Sequence, residues 1–88
     1  MKPINEAALP EYSALAQQLK PGSRYEHYSG KLYELIAVAR HSETLDELVV
    51  YQALYGDMNV WVRPIKMFCE KVEINGCMVP RFRCIENC

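Results

Sequence analysis

Between Gly22 and Cys88 the chain alternates short apolar runs with turn signals, and this pattern constrains the fold more than any other feature. The runs are rich in β-branched and aromatic residues, which favour strands. The clearest turn signal is Asn75-Gly76, a dipeptide typical of two-residue hairpins. The predicted strands are Arg24–Tyr28, Lys31–Arg40, Leu48–Tyr55, Val60–Arg63, Lys71–Ile74 and Met78–Arg83.

About five to six sequential antiparallel strands in so short a chain predict a mostly β fold, and we expect a small SH3-like barrel. Pro64–Phe68 is predicted to form one helical turn before the final strands, where SH3-like barrels place such a turn. Closing the sheet would remove exposed strand edges. Lys31–Arg40 is apolar on both faces, so we expect it to be a central strand covered on both sides. Pro80 indicates an edge or a bulge in the last strand.

The start of the chain follows a different pattern. Apolar residues recur at helical spacing, and they predict a short amphipathic helix near residues 10–19 with Pro10 in its first turn. We therefore divide the chain into an N-terminal helical segment, residues 1–21, and a barrel domain, residues 22–88. The apolar stripe is expected to pack on its own domain. A homodimer or a contact with a partner protein is the alternative.

Size and charge exclude several classes of function. A chain of 88 residues forms one domain, so a deep cleft between domains is excluded. A net charge of −1 argues against general nucleic-acid binding, which needs a strongly basic surface. The first residues lack the apolar run of a signal peptide, and no run is long enough to span a membrane. We expect a cytoplasmic protein without a membrane partner.

The four cysteines are Cys69, Cys77, Cys84 and Cys88. For a cytoplasmic chain, reduced thiols are the preferred interpretation. No CxxC pair occurs, and both histidines lie far upstream. We predict neither a metal site nor a cofactor.

Candidate site residues concentrate in one stretch. Five of the six tyrosines, both histidines and the only tryptophan fall between Tyr25 and Trp61. Each of these rings carries a polar tip, so it can fill a small core and still meet a ligand. Arg63 could anchor an anionic group, while Tyr33 and Tyr51 are the part of this aromatic set that is expected to lie in the core. The predicted binding residues are Tyr25, His27, His41, Glu43, Tyr51, Trp61 and Arg63.

A second interpretation centres on His41 and Glu43. On an extended chain these side chains point the same way, so Glu43 could orient His41 as a general base of a small hydrolase. Thr44 and Glu47 also match a capping box, in which case the polar residues only shape a turn.

An ordered set of motifs runs across residues 22–85. The motifs are Gly22-x-x-Tyr25-x-His27-Tyr28-x-Gly30-x-x-Tyr33, Ala39-x-His41-Ser42-Glu43-Thr44, Val50-Tyr51-x-x-Leu54-Tyr55-Gly56, Trp61-Val62-Arg63-Pro64-x-x-Met67-Phe68 and Val79-Pro80-Arg81-Phe82. Together they resemble a small bacterial family, domain of unknown function 1653. The resemblance implies a compact SH3-like β-barrel, and it brings no established activity.

The sequence therefore favours a non-enzymatic binding module with an aromatic, histidine and arginine groove for a peptide or nucleotide-like ligand. The alternatives are a small hydrolase using His41 and Glu43, and an assembly module acting through the N-terminal helix.

Overall fold

The computed structural model describes residues 9–88, so the first part of the predicted N-terminal segment lies outside the described residues. Strands dominate these residues, and the two helices are single turns. In chain order the elements are α1 (Ala14–Gln17), β1 (Arg24–His27), β2 (Leu32–Arg40), β3 (Glu47–Ala53), β4 (Val60–Pro64), α2 (Ile65–Phe68), β5 (Lys71–Ile74), β6 (Cys77–Pro80) and β7 (Phe82–Glu86). No helix within residues 9–88 has the length and apolarity needed to cross a membrane.

Antiparallel pairing arranges the strands in two sheets. The larger sheet has the order β4-β3-β2-β1-β7, and β5 pairs only with β6. Asn75 and Gly76 have φ values of 51° and 81°, as a two-residue hairpin with a type I′ turn requires. The hairpin and the mostly β fold are confirmed. Closure into a barrel is not confirmed, because β4 and β7 remain the two edges of the larger sheet among residues 9–88.

A bulge in β2 decides which residues face the core. The register with β3 shifts between Leu35 and Ala37. Tyr33 and Leu35 face the core before the bulge, and Val38 takes this role after it. Ile36 is 39% exposed, whereas Leu35 is fully buried. The prediction that both faces of this strand are covered is therefore wrong, since one face meets solvent.

The predicted last strand is two strands separated by Arg81. The Arg81 N–H donates to the Glu70 carbonyl at 3.0 Å, and the Arg81 carbonyl accepts from the Tyr28 N–H at 3.1 Å. The guanidinium also binds the Glu70 carboxylate, with Nη2 2.7 Å from Oε1. These bonds turn the chain out of the β5–β6 hairpin and into β7. Pro80 ends β6, an edge strand, where its missing N–H is tolerated.

The core is built around two stacked rings. Phe68 and Phe82 lie 4.4 Å apart between ring centroids, with an interplanar angle of 10°. Tyr25 and Tyr51 pack against Phe68 at 5.2 and 5.4 Å. Because helix α2 supplies Phe68, β7 supplies Phe82, β1 supplies Tyr25 and β3 supplies Tyr51, the centre of the core joins both sides of the larger sheet to the helical turn. The other buried members of this cluster are Ala16, Leu35, Val49 and Ile65.

Two of the four cysteines are oxidised. Cys84 and Cys88 form a disulfide that ties Cys88 to β7. This corrects the prediction of reduced thiols, which holds only for Cys69 and Cys77.

The N-terminal helix is shorter than predicted. It begins after Ser13, whose hydroxyl accepts from the Ala16 N–H at 3.1 Å, so Pro10 precedes the helix. Ala16 is buried in the core cluster and Leu19 packs against it. Arg40 of β2 lies over the Tyr12 ring, with Cζ 4.2 Å from the centroid. The segment therefore packs on its own domain, and the homodimer stays a prediction.

Glu47 of β3 fixes this helix to the sheet. Its carboxylate accepts from the Ser13 hydroxyl at 2.6 Å and from the Ser13 N–H at 2.7 Å. Glu47 therefore binds the helix start and not the Thr44 end of the predicted capping box. The two Ser13 donors, helped by Arg40, hold the pKa of Glu47 below its ordinary value.

We expect acid to loosen this attachment. Because the folded-state pKa of Glu47 is lowered, its contribution to stability is complete above the unfolded-state pKa of about 4.3 and is lost as the pH falls through the folded-state pKa. Ser13→Ala should cost about 1 kcal/mol at pH 7 and less at pH 3. Urea unfolding at both pH values measures this, with Ser42→Ala in the exposed β2–β3 loop as the control. An equal cost of Ser13→Ala at both pH values would contradict it.

Candidate functional site

Arg63 lies on the core-facing side of the sheet at its β4 edge. It pairs across the strands with Val49, and Trp61 pairs with Tyr51. Paired residues share a face, so Arg63 and Trp61 lie beside the buried Val49 and Tyr51. We call the cluster around this guanidinium the Arg63 site, which comprises His27, Tyr33, Tyr51, Tyr55, Arg63 and Phe82.

Hydroxyl groups and the guanidinium meet in the Arg63 site. Arg63 Nε donates to the Tyr51 hydroxyl at 3.3 Å, and its Cζ lies 5.9 Å from the Phe82 centroid. The hydroxyls of Tyr33 and Tyr55 bind each other at 2.7 Å. Tyr33 also packs edge-on against Tyr51 and Phe82. The hydroxyls of three tyrosines and the Arg63 guanidinium thus lie close together beside the Phe82 ring. They come from β2, β3, the loop after β3, and β4.

Burial favours the neutral forms of His27 and Tyr33 in the site. Burial lowers the pKa of His27, and the charges of Arg81, Arg63 and Lys31 lower it further. Burial raises the pKa of Tyr33 to about 12, and its hydrogen bond with Tyr55 contributes. At neutral pH the phenol therefore keeps its proton. The Ser29 N–H donates to His27 Nδ1 at 3.1 Å, which places the hydrogen of the neutral ring on Nε2.

We expect His27 to titrate below the ordinary histidine value of about 6.5. Removing the charge of Arg63 should raise this pKa, because the guanidinium opposes protonation of the imidazole. The Cε1–H chemical shift, followed by NMR across pH in wild-type protein and in Arg63→Gln, measures both values. A His27 pKa at or above 6.5 that Arg63→Gln leaves unchanged would show that the two groups are not coupled.

The structure divides the seven predicted site residues into separate groups. His27, Tyr51 and Arg63 converge in the Arg63 site, and Trp61, 52% exposed, lies at its β4 rim. Tyr25 is buried against Phe68 in the core. His41 and Glu43 lie in the loop between β2 and β3, outside this cluster.

Sequence reasoning did not assign Tyr33, Tyr55 and Phe82 to the site. The sequence predicts that Tyr33 lies in the core; the residue is only partly buried and packs against the core cluster, while its hydroxyl reaches the site. The alternation of side chains along β2 could have indicated the position of Tyr33, because Tyr33 shares a face with the buried Leu35. Tyr55 and Phe82 reach the site through tertiary contacts that no local pattern indicates.

His41 stabilises the loop in which it lies. Its Nδ1 accepts from the backbone N–H groups of Glu43 and Thr44 at 3.1 and 3.3 Å. The Thr44 hydroxyl accepts from the Asp46 N–H at 3.2 Å. Within residues 9–88 the Glu43 carboxylate makes no hydrogen bond to His41, although His41 borders a cleft of about 470 Å³. The imidazole thus shapes a turn, without the predicted orienting contact.

The described part of the chain contains no candidate metal site. Side chains of His, Cys, Asp and Glu nowhere form a group of three that could hold a metal ion within residues 9–88. What the Arg63 site offers is hydrogen-bond donors, a positive charge and aromatic surfaces.

Comparison with known proteins identifies the family. The model of the family described as "Protein of unknown function (DUF1653)" matches residues 23–84, most of the chain. The chain belongs to the DUF1653 family. The family resemblance carried by the sequence motifs is thereby confirmed. All six residues of the Arg63 site lie within the matched DUF1653 region.

A solved structure has the same fold. The crystal structure of a DUF1653 protein from Bordetella bronchiseptica is 32% identical and superposes with a TM-score of 0.72. The match covers 81% of this chain and 92% of that one. No curated protein matches the chain.

Proposed function

We propose that this DUF1653 chain is a non-enzymatic binding module whose Arg63 site receives the anionic group of a peptide or nucleotide-like ligand. The observation that carries the proposal is the environment of Arg63. Its half-buried guanidinium meets a phenol hydroxyl and an aromatic ring, and among residues 9–88 it forms no ion pair. A partly desolvated charge is costly without a counter-ion, which supports an anion supplied from outside the chain.

The other polar groups of the site suit the same ligand. His27 Nε2 can donate a hydrogen bond to an oxygen atom, and so can the one hydroxyl of the Tyr33–Tyr55 pair that acts as the acceptor in their mutual bond. A guanidinium binds carboxylate and phosphate groups with two parallel bonds, so its planar fork sets the orientation of the anion. Lys31, 4.8 Å from the Tyr55 centroid, adds a second positive charge at the rim.

Exposed aromatic surfaces beside the cations can hold the rest of the ligand. Trp61 is 52% exposed and Tyr55 39% exposed. Such rings stack on a nucleobase or on a flat side chain with an energy of about 1–3 kcal/mol per base. An anionic group next to a planar or apolar group is therefore the ligand chemistry that we propose.

The fold supports a binding role by analogy. The order β4-β3-β2-β1-β7 and the turn of helix α2 before the last strands support an SH3-like arrangement that is open between β4 and β7. We propose this arrangement as the framework of the site. A similar fold does not by itself establish a function, so the proposed function rests on Arg63 and its neighbours.

An NMR titration tests the proposal. We expect adenosine monophosphate (AMP) to shift the backbone signals of His27, Tyr51 and Arg63, and adenosine, which lacks the phosphate, to shift them far less. The signals of the His41 loop serve as an internal control and should stay in place. If neither AMP nor an acidic peptide shifts the Arg63 site, the proposal is wrong. Shifts confined to His41 and Glu43 would instead favour the hydrolase alternative.

A further inference from the structure

Strand β4 exposes an apolar edge. It ends the larger sheet, and no strand within residues 9–88 pairs with its outer side. Val60, Trp61 and Val62 are 57%, 52% and 61% exposed. Since successive side chains point to opposite faces, both faces of this edge are uncovered. Soluble proteins usually prevent such an edge from pairing with another strand by means of charged residues or a short bulge. An unprotected edge can accept a further strand.

The ladder with β3 fixes which backbone groups of β4 are free. The Ala53 N–H donates to the Asn59 carbonyl at 2.9 Å, so this opposed pair is a hydrogen-bonded one. Hydrogen-bonded pairs alternate along an antiparallel ladder, so Trp61 and Arg63 bond to β3. The N–H and C=O groups of Val60 and Val62 therefore point outward.

Pro64 fits this alternation. It follows Val60 and Val62 at the next outward position, where its missing N–H costs no bond to β3. The free edge thus presents donors at Val60 and Val62 and acceptors at Val60, Val62 and Pro64. Their spacing is that of an incoming β-strand.

We propose that the ligand of the Arg63 site is an extended peptide that adds to β4 as an antiparallel strand and places an acidic side chain opposite Arg63. The inference rests on the proposed function and names its ligand class. Because paired residues share a face, a side chain opposite Arg63 lies on the side of the guanidinium. The residue two positions further along the peptide lies opposite Trp61 and packs on its indole. The residue between them meets Val62 on the other face.

Charge and backbone geometry favour an acidic peptide over a nucleotide or a second copy of the chain. A nucleotide has no repeating N–H and C=O groups to pair with Val60 and Val62. A second copy of the chain, paired β4 to β4 about Val62, would place Trp61 opposite Arg63. Both guanidinium groups would then still lack an anion. An acidic peptide strand satisfies the backbone edge and the charge together.

A set of matched peptides tests the inference by fluorescence anisotropy. The parent is fluorescein-Ser-Glu-Val-Trp-Val-Ser-amide, in which Glu faces Arg63 and the first Val faces Val62. We expect the parent to bind, and both Glu→Gln and N-methylation of the first Val to weaken binding at least tenfold. N-methylation of the peptide Trp, whose N–H points away from β4, is the control and should change the affinity less than threefold.

The outcomes separate this inference from the proposed function. If AMP binds at Arg63 and the parent peptide does not, strand addition is wrong and the anion site stands. Equal weakening by the two N-methylated peptides, or none, also overturns strand addition. A concentration-dependent doubling of mass in sedimentation that the peptide does not reverse would assign β4 to a second copy and overturn the inference. If neither AMP nor the peptide binds, both proposals are wrong.

Discussion

Replacing Phe68 by alanine is expected to destabilise the domain by about 3–5 kcal/mol, the usual cost of truncating a buried phenylalanine. Phe68 is 2% exposed and stacks on Phe82 at 4.4 Å. Tyr25 and Tyr51 contact its remaining edges. These rings come from β1, β3 and β7, so the cavity would lie between strands that are far apart in sequence. Domains of this size have a total stability of about 5–15 kcal/mol, so much of it would be lost.

Met67 offers a matched control within the same helical turn. It is 46% exposed, and Met67→Ala should change the free energy of unfolding by no more than about 0.5 kcal/mol. Urea unfolding followed by circular dichroism measures both variants. Similar losses for Phe68→Ala and Met67→Ala would mean that α2 does not direct Phe68 into the core.

Arg63→Gln is expected to weaken the binding of AMP by roughly 10–100-fold. A hydrogen bond to a charged group is worth about 1.5–3 kcal/mol, and each 1.4 kcal/mol is tenfold in affinity. The ligand-free variant should be no less stable than wild type. The reason is that it removes a half-buried charge that forms no ion pair within residues 9–88.

Arg24→Gln is the control for net charge. Arg24 lies on β1 with Nε 3.6 Å from the Glu34 carboxylate, outside the Arg63 site. It carries the same charge and undergoes the same substitution, so calorimetric titration with AMP should show an almost unchanged affinity. An equal loss in both variants would indicate general charge attraction and not a defined site.

Local sequence signals predicted most strands, because each signal is contained within a few residues. Asn75-Gly76 formed the hairpin, and Pro64 preceded the helical turn. The bulge at Ile36 could not be predicted, since it depends on how β2 pairs with β3. The bulge also explains why Val38, and not Ala37, faces the core after Leu35: the core-facing side changes phase there.

Tertiary contacts determined the parts that sequence reasoning missed. The start of α1 depends on Glu47, which lies 34 residues from Ser13. Likewise, Tyr33 and Tyr55 are 22 residues apart and become a hydroxyl pair only in the folded sheet. The concentration of aromatic residues did indicate the region of the candidate site. Which of these aromatic residues lie in the core and which lie in the site depends on how the strands pair.

The ratio of the AMP and adenosine dissociation constants, measured in wild-type protein and in Arg63→Gln, tests the central claim most directly. The comparison isolates the contact between the phosphate and the guanidinium, because the nucleoside part of the ligand is common to both. We predict that wild-type protein prefers AMP by at least about tenfold and that Arg63→Gln binds the two almost equally. An equal preference for AMP in both proteins would contradict the assignment of Arg63 as the anion-binding group.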